Sequence, residues 1–297
     1  MAGKARIKSN FIIAAVCILI SCVFITAGLC QFKNGSSFLH NLTILADGSG
    51  FSTSWLKDIF VKSNTEEVSF AAWTELKGEQ VFENNGSRHY NTDVCAVYGE
   101  SGCILPFGQN LPVSDKQGCI IGIKLSEELF GNHNAEGQEI VWKDRVWIVR
   151  GVVKKPSSLF MAQVSGMADK IKFDRINIRL EREKDRRRTG EDFINRHGLY
   201  ASVLRWDYLY SMAWLEEVIP GRWSDFQGFK ENLKKHGKAA GLVRNTEKTS
   251  IEAEGLSCQK KGRWLAVTGI FFLITGSVFY FNLTFFSKKS PTSKVKR

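Results

Sequence analysis

Acidic residues are missing from both ends of the chain. Residues 1–30 hold Lys4, Arg6 and Lys8 and no Asp or Glu. Residues 263–297 hold Arg263, Lys288, Lys289, Lys294, Lys296 and Arg297, again with no acid. These nine cations account for all but two of the formal net charge of +11. The basic excess therefore belongs to the tails, and no nucleic-acid surface is expected from it. Catalytic motifs are missing as well. There is no G-x-x-x-x-G-K-S/T loop, so the chain has no P-loop for ATP. There is no G-x-S-x-G, no H-E-x-x-H and no EF-hand loop. No Cys-x-x-Cys pair or Cys/His spacing points to zinc. None of His40, His89, His133, His197 and His236 has a helical partner three or four residues away. Without a convergent acid, base and nucleophile, the chain is expected not to be an enzyme, and to hold no catalytic, metal or cofactor residues.

What the sequence does have is two long runs without charge. Phe11–Leu29 is 19 residues and Trp264–Phe286 is 23 residues. At about 1.5 Å per helical residue, each can cross a hydrocarbon layer of about 30 Å. Their basic flanks place both termini in the cytoplasm and the middle outside the cell membrane. Lys260 and Lys261, on the outer side of the second run, go mildly against this. Long translocated domains obey the charge bias weakly, so the topology stands. The expected organisation is a cytoplasmic tail (1–10), a first transmembrane helix (11–30), an extracytoplasmic domain with its membrane-proximal linker (31–262), a second transmembrane helix (263–286) and a basic cytoplasmic tail (287–297). Leu19-Ile20-Ser21-Cys22 also fits a lipoprotein cleavage box. Val23–Leu29 stays apolar past the cysteine, which favours an uncleaved anchor; cleavage at Cys22 is the alternative.

Seven cysteines are present. An outer compartment permits disulfides. Cys95 and Cys103 flank Tyr98–Gly102, read as a turn, and form the candidate disulfide. Cys119, on an apolar strand, reads as a free core thiol. Asp47-Gly48-Ser49-Gly50 reads as a turn between a strand (41–45) and a helix from Ser52 or Thr53 to about Lys62. Val68–Lys77 and Glu79–Glu83 read as strands divided by Gly78. Asn84-Asn85-Gly86 is a hairpin turn, and Tyr90–Tyr98 is the returning strand. Lys172–Arg182 reads as a strand, Glu183–Thr189 as a charged turn carrying Arg186, Arg187 and Arg188, and Glu191–His197 as a short helix. Trp206, Tyr208, Tyr210, Trp214 and Trp223 form an aromatic set suited to a partner or membrane interface. A helix capped by Ser224 follows to Lys235, and Gly237–Gly262 reads as a polar, mobile linker.

Cys119–Met161 reads as one compact unit. Cys119–Ile123 is a buried strand. Ser126 is a candidate N-cap for a short helix ending at Phe130-Gly131. Glu139–Trp142 and Arg145–Val153 form a hairpin around Lys143-Asp144. The residues Ile121, Leu125, Ser126, Leu129, Phe130 and Gly131, then Gly137, Ile140, Val149, Gly151 and Val152, resemble the extracytoplasmic core domain of MacB-type (FtsX-like) ABC transporter permeases. The Ile-Pro-Gly and Trp-Ser-Asp-Phe elements of residues 219–226 are similar to that family's membrane-proximal part.

The order of elements argues α+β. The resemblance implies a MacB-like periplasmic core domain flanked by two transmembrane helices. It further implies a mechanotransmission role beside a partner ABC ATPase, with ATP entering only through that subunit. The family generally has four transmembrane helices. Two candidate spans here imply a shortened form that needs a sister permease, in contact with the lipid bilayer. A stand-alone bitopic binding or sensing protein is the competing reading.

Overall fold

The structure, a computed structural model, describes residues 2–39, 42–48, 50–64, 69–106, 110–167, 171–179, 186–199, 201–204, 206, 215, 218–219, 221–222 and 224–288. It divides into two units, residues 1–36 with 256–297, and residues 37–255.

The first unit is built from two helices, α1 (Ala2–Leu39) and α6 (Ser250–Lys288), which leave it at residues 36 and 256. Both are long and apolar enough to cross a membrane. Small residues let their backbones approach closely. An added Cβ at Gly28 would stand 3.1 Å from the Ala266 nitrogen, and one at Gly276 3.1 Å from the Cys17 Cβ. Between them, Ser21 Oγ donates to the Gly269 carbonyl at 2.7 Å. The contacts run in opposite sequence directions, so the pair is antiparallel. Ala14, Ser21 and Gly28 recur every seven residues, as do Gly262, Gly269 and Gly276. A seven-residue repeat keeps a seam on one side of a helix pair. Phe11, Leu19, Val23, Phe271 and Phe281 are exposed away from the seam.

The second unit is an α+β domain around a nine-stranded sheet. Its strands are β1 (Leu42–Ala46), β2 (Phe70–Glu83), β3 (His89–Gly99), β4 (Gly118–Gly122), β5 (Glu139–Trp142), β6 (Arg145–Val153), β7 (Phe160–Gln163), β8 (Arg175–Ile178) and β9 (Ala201–Leu204). The helices are α2 (Thr53–Asn64), α3 (Ile123–Phe130), α4 (Arg186–His197) and α5 (Phe226–Asn245). The ladder β3-β7-β4-β6-β5-β2 returns to β3 and closes a ring of six strands. The opening half of β2 instead pairs with β8, which continues to β1 and β9. Alternate residues such as Val94, Ala96, Ile121 and Phe160 share one core with Trp142, Trp147 and Leu125.

The Cys119–Met161 unit forms as its pattern predicts, with local differences. The β5–β6 turn has φ 50° at Lys143 and 60° at Asp144, the left-handed pair that a two-residue hairpin needs. Lys143 is held by Glu79 at 3.4 Å and lies over the Trp142 ring at 5.0 Å. Gly131 ends α3 at φ 72°. Ser126 is not the cap. It lies inside α3, buried, and its Oγ donates to the Asn132 carbonyl at 2.7 Å.

Elsewhere, Gly78 does not divide two strands. It sits at φ 66° where β2 slips register between Leu76 and Glu79, and the strand continues. The predicted turn at Tyr98–Gly102 starts later, because Tyr98 and Gly99 complete β3. Helix α4 begins at Arg186, within the predicted charged turn. Asp225, not Ser224, caps α5, accepting from the Gly228 amide at 2.8 Å. The predicted linker is helical apart from a short break, since α5 runs to Asn245 and α6 starts at Ser250.

Candidate functional site at the head of helix α6

The sequence Thr249-Ser250-Ile251-Glu252 is a capping box. The Glu252 carboxylate oxygen Oε2 accepts from the Thr249 amide and hydroxyl, each at 3.0 Å. The Glu252 amide returns a bond to Thr249 Oγ1 at 3.3 Å. Two of the open amides at the start of α6 are thereby satisfied locally. A third is satisfied from the sheet: Glu75 of β2 accepts from the Ser250 amide at 2.7 Å and its hydroxyl at 2.6 Å.

Glu252 has a second partner. Arg175 of β8 reaches Oε2 through Nη1 at 3.2 Å, with side-chain exposures of 4% and 5%. Charges this deep are tolerated only when paired. Arg175 also donates from Nη2 to the Glu247 carbonyl at 2.6 Å and lies 5.2 Å over the Trp73 ring. Trp73 in turn donates to Asn177 Oδ1 at 3.1 Å, where Thr43 also donates at 3.0 Å. The Asn177 amide donates to the Cys103 carbonyl at 3.1 Å. One polar chain therefore links the first turn of α6 with β8, β2 and β1 and with the Ser101–Cys103 turn. Around it, Lys77 pairs with Glu247, and Lys155 with Glu254 at 2.8 Å. The hydrogen bond with Glu247 raises the Lys77 ammonium above its ordinary value and holds the Glu247 carboxyl below its own. That exposed pair adds little stability.

The sequence-predicted site residues lie elsewhere. Trp206 is buried, and its indole N–H finds no acceptor among the described residues. Tyr208, Tyr210, Trp214 and Trp223 lie outside the described residues. Cys95, Cys103 and Cys119 are all buried. Burial pushes all three thiols up, Cys103 to about 11. The thiolate is the reactive form. At pH 8, roughly one Cys103 in a thousand is thiolate. We expect none of the three to be alkylated in the native protein at pH 8, and Cys103 to begin reacting as pH approaches 11, read by peptide mass mapping. Its folded value stands above the ordinary 9.0, so the unfolded chain loses the proton first. Stability should fall as pH rises from about 9 towards 11.

Sequence reasoning missed Arg175, Glu252, Thr249 and Glu75. One signal was present: a T-x-x-E box ahead of an apolar run. Arg175 carried none, since a lone arginine in an apolar strand does not reveal its partner.

The fold and the cluster together define a class: an α+β domain inserted between two membrane-length helices. No family model matches the chain, and no curated protein matches it. Solved structures do. The extracellular domain of the noncanonic ABC-type transporter YknZ from Gram-positive bacteria is similar over 55% of this chain and 99% of its own length, at 14% identity and a TM-score of 0.42. The periplasmic region of MacB from Actinobacillus actinomycetemcomitans is similar over 57% of this chain and 90% of its own, at 16% identity and a TM-score of 0.44.

Proposed function

We propose that the chain is a non-catalytic membrane subunit of an ABC-type transport or mechanotransmission complex. Its outer domain couples a partner ATPase and a sister permease to an extracytoplasmic cargo or envelope partner. The observation that carries this reading is the buried clamp at the head of α6. A membrane-length helix begins inside the outer domain and is held there by Arg175, Glu252 and Glu75. A helix fixed by buried charge and a double cap does not slip freely against its strands, so its displacement passes to β8 and β2. That is what a transmission element requires. The resemblance of the Ile121–Val152 residues to MacB-type permeases supplies the class of motor, an ABC ATPase. With no P-loop in this sequence, nucleotide binding falls to the partner. The acid-free, basic ends favour cytoplasmic termini and an outer central domain.

Purification from native membranes in gentle detergent tests the reading. Recovery of a nucleotide-binding ATPase at fixed stoichiometry, with hydrolysis altered when this chain is absent, is the expected result. Recovery of the chain alone, or with envelope proteins only, would replace it with a stand-alone binding or sensing protein.

A further inference from the structure

Helix α5 carries its apolar residues on the wrong side for a core helix. Its half-buried positions in the first three turns are Gly228, Asn232 and His236, none of them apolar, and only Val243 near the end is fully buried. Phe226, Phe229 and Leu233 instead face solvent, at 72%, 37% and 44% exposure. At about 100° per residue these three fall within about 60° of one another on the helix surface. Lys230, Lys234 and Lys238, all exposed, form an adjoining row spaced by four. The helix holds five cations, with Lys235 and Arg244, against the single acid Glu231. An apolar row beside a lysine row is the pattern of a helix lying in a membrane interface.

We propose that the N-terminal turns of α5 rest on the bilayer surface, with Phe226, Phe229 and Leu233 among the acyl chains and Lys230, Lys234 and Lys238 on anionic headgroups. Charge selects this occupant. Lysine is depleted in protein interfaces, whereas clusters of four or more on an amphipathic helix favour anionic lipid. Chain length permits it. Twenty residues of helix reach about 30 Å, while Ser250–Arg263, which precedes the charge-free run, covers about 21 Å. The proposal needs the chain to be embedded in a membrane and is independent of any ATPase partner.

The test uses the full chain in nanodiscs of phosphatidylcholine with or without phosphatidylglycerol. Benzoylphenylalanine is introduced at Phe229 or, as a control on another face, at Lys235. Photolysis in anionic nanodiscs is expected to give lipid adducts at position 229 at least about tenfold above position 235. Charge reversal of Lys230, Lys234 and Lys238 together should lower the yield to that of pure phosphatidylcholine. Equal adducts at both positions, or a yield indifferent to lipid charge, would overturn the proposal. So would crosslinking of position 229 to a protein in native membranes.

Discussion

Replacing Arg175 with alanine is expected to lower the stability of the outer domain by about 3–5 kcal/mol, because Glu252 is left buried and unpaired. For a domain of this size the melting temperature should fall by on the order of 10 °C. Glu252→Gln should cost a similar amount while keeping an oxygen for the Thr249 amide, which separates the charge from the cap. The cap alone is worth about 1 kcal/mol. The double replacement Arg175→Ala with Glu252→Gln should cost less than the two single changes added together, since no bare charge remains. Melting of the full chain in detergent, followed for these variants, decides it. Additive losses, or a single-variant loss below about 1 kcal/mol, would show that the pair does not hold the head of α6. Within the complex proposed above, the double variant should also uncouple ATP hydrolysis from transport without unfolding the domain.

The second large effect concerns the membrane helices. Gly276→Cys should form a disulfide with native Cys17 in nearly every molecule under mild oxidation. A Cβ at position 276 would stand 3.1 Å from the Cys17 Cβ, and only a small shift reaches the usual separation of about 3.5–4.5 Å. Val267→Cys, on an exposed face of α6, should form none with Cys17. Adding Gly269→Leu to Gly276→Cys should cut the yield severalfold. Its Cβ would stand 2.7 Å from Ile25 Cγ1 and 3.2 Å from the Ser21 carbonyl, forcing the helices apart. Mapping the linked peptide by mass spectrometry reads all three. Free thiol persisting in Gly276→Cys after oxidation would break the antiparallel seam.

Much of the outer domain was legible because it is locally encoded. The Phe130-Gly131 corner, the Lys143-Asp144 hairpin and the apolar strand before them each follow from a few neighbouring residues. What was not legible depends on distant partners. Gly78 reads as a strand break until β3 is seen to carry the ladder past it. Ser126 reads as a cap until Ile123 is seen to start the helix earlier. The polar segment after Gly237 reads as a linker because its large apolar residues are few. The candidate site was the least legible part. Glu252 and Arg175 are 77 residues apart in sequence, and nothing local to Arg175 announces that it will be buried. The seven-residue recurrence of small side chains in both apolar runs was readable, and it marks the seam rather than the span.

The double duty of Glu252 has one more consequence. The same carboxylate closes the first turn of α6 and receives Arg175. A helix that advances by one residue also rotates by about 100°. Such a step would bring Ile251 or Ala253 opposite Arg175 and lose the cap and the charge pair at once. The carboxylate thus acts as an indexing pin: it sets the rotational phase of the first turn of α6 against β8.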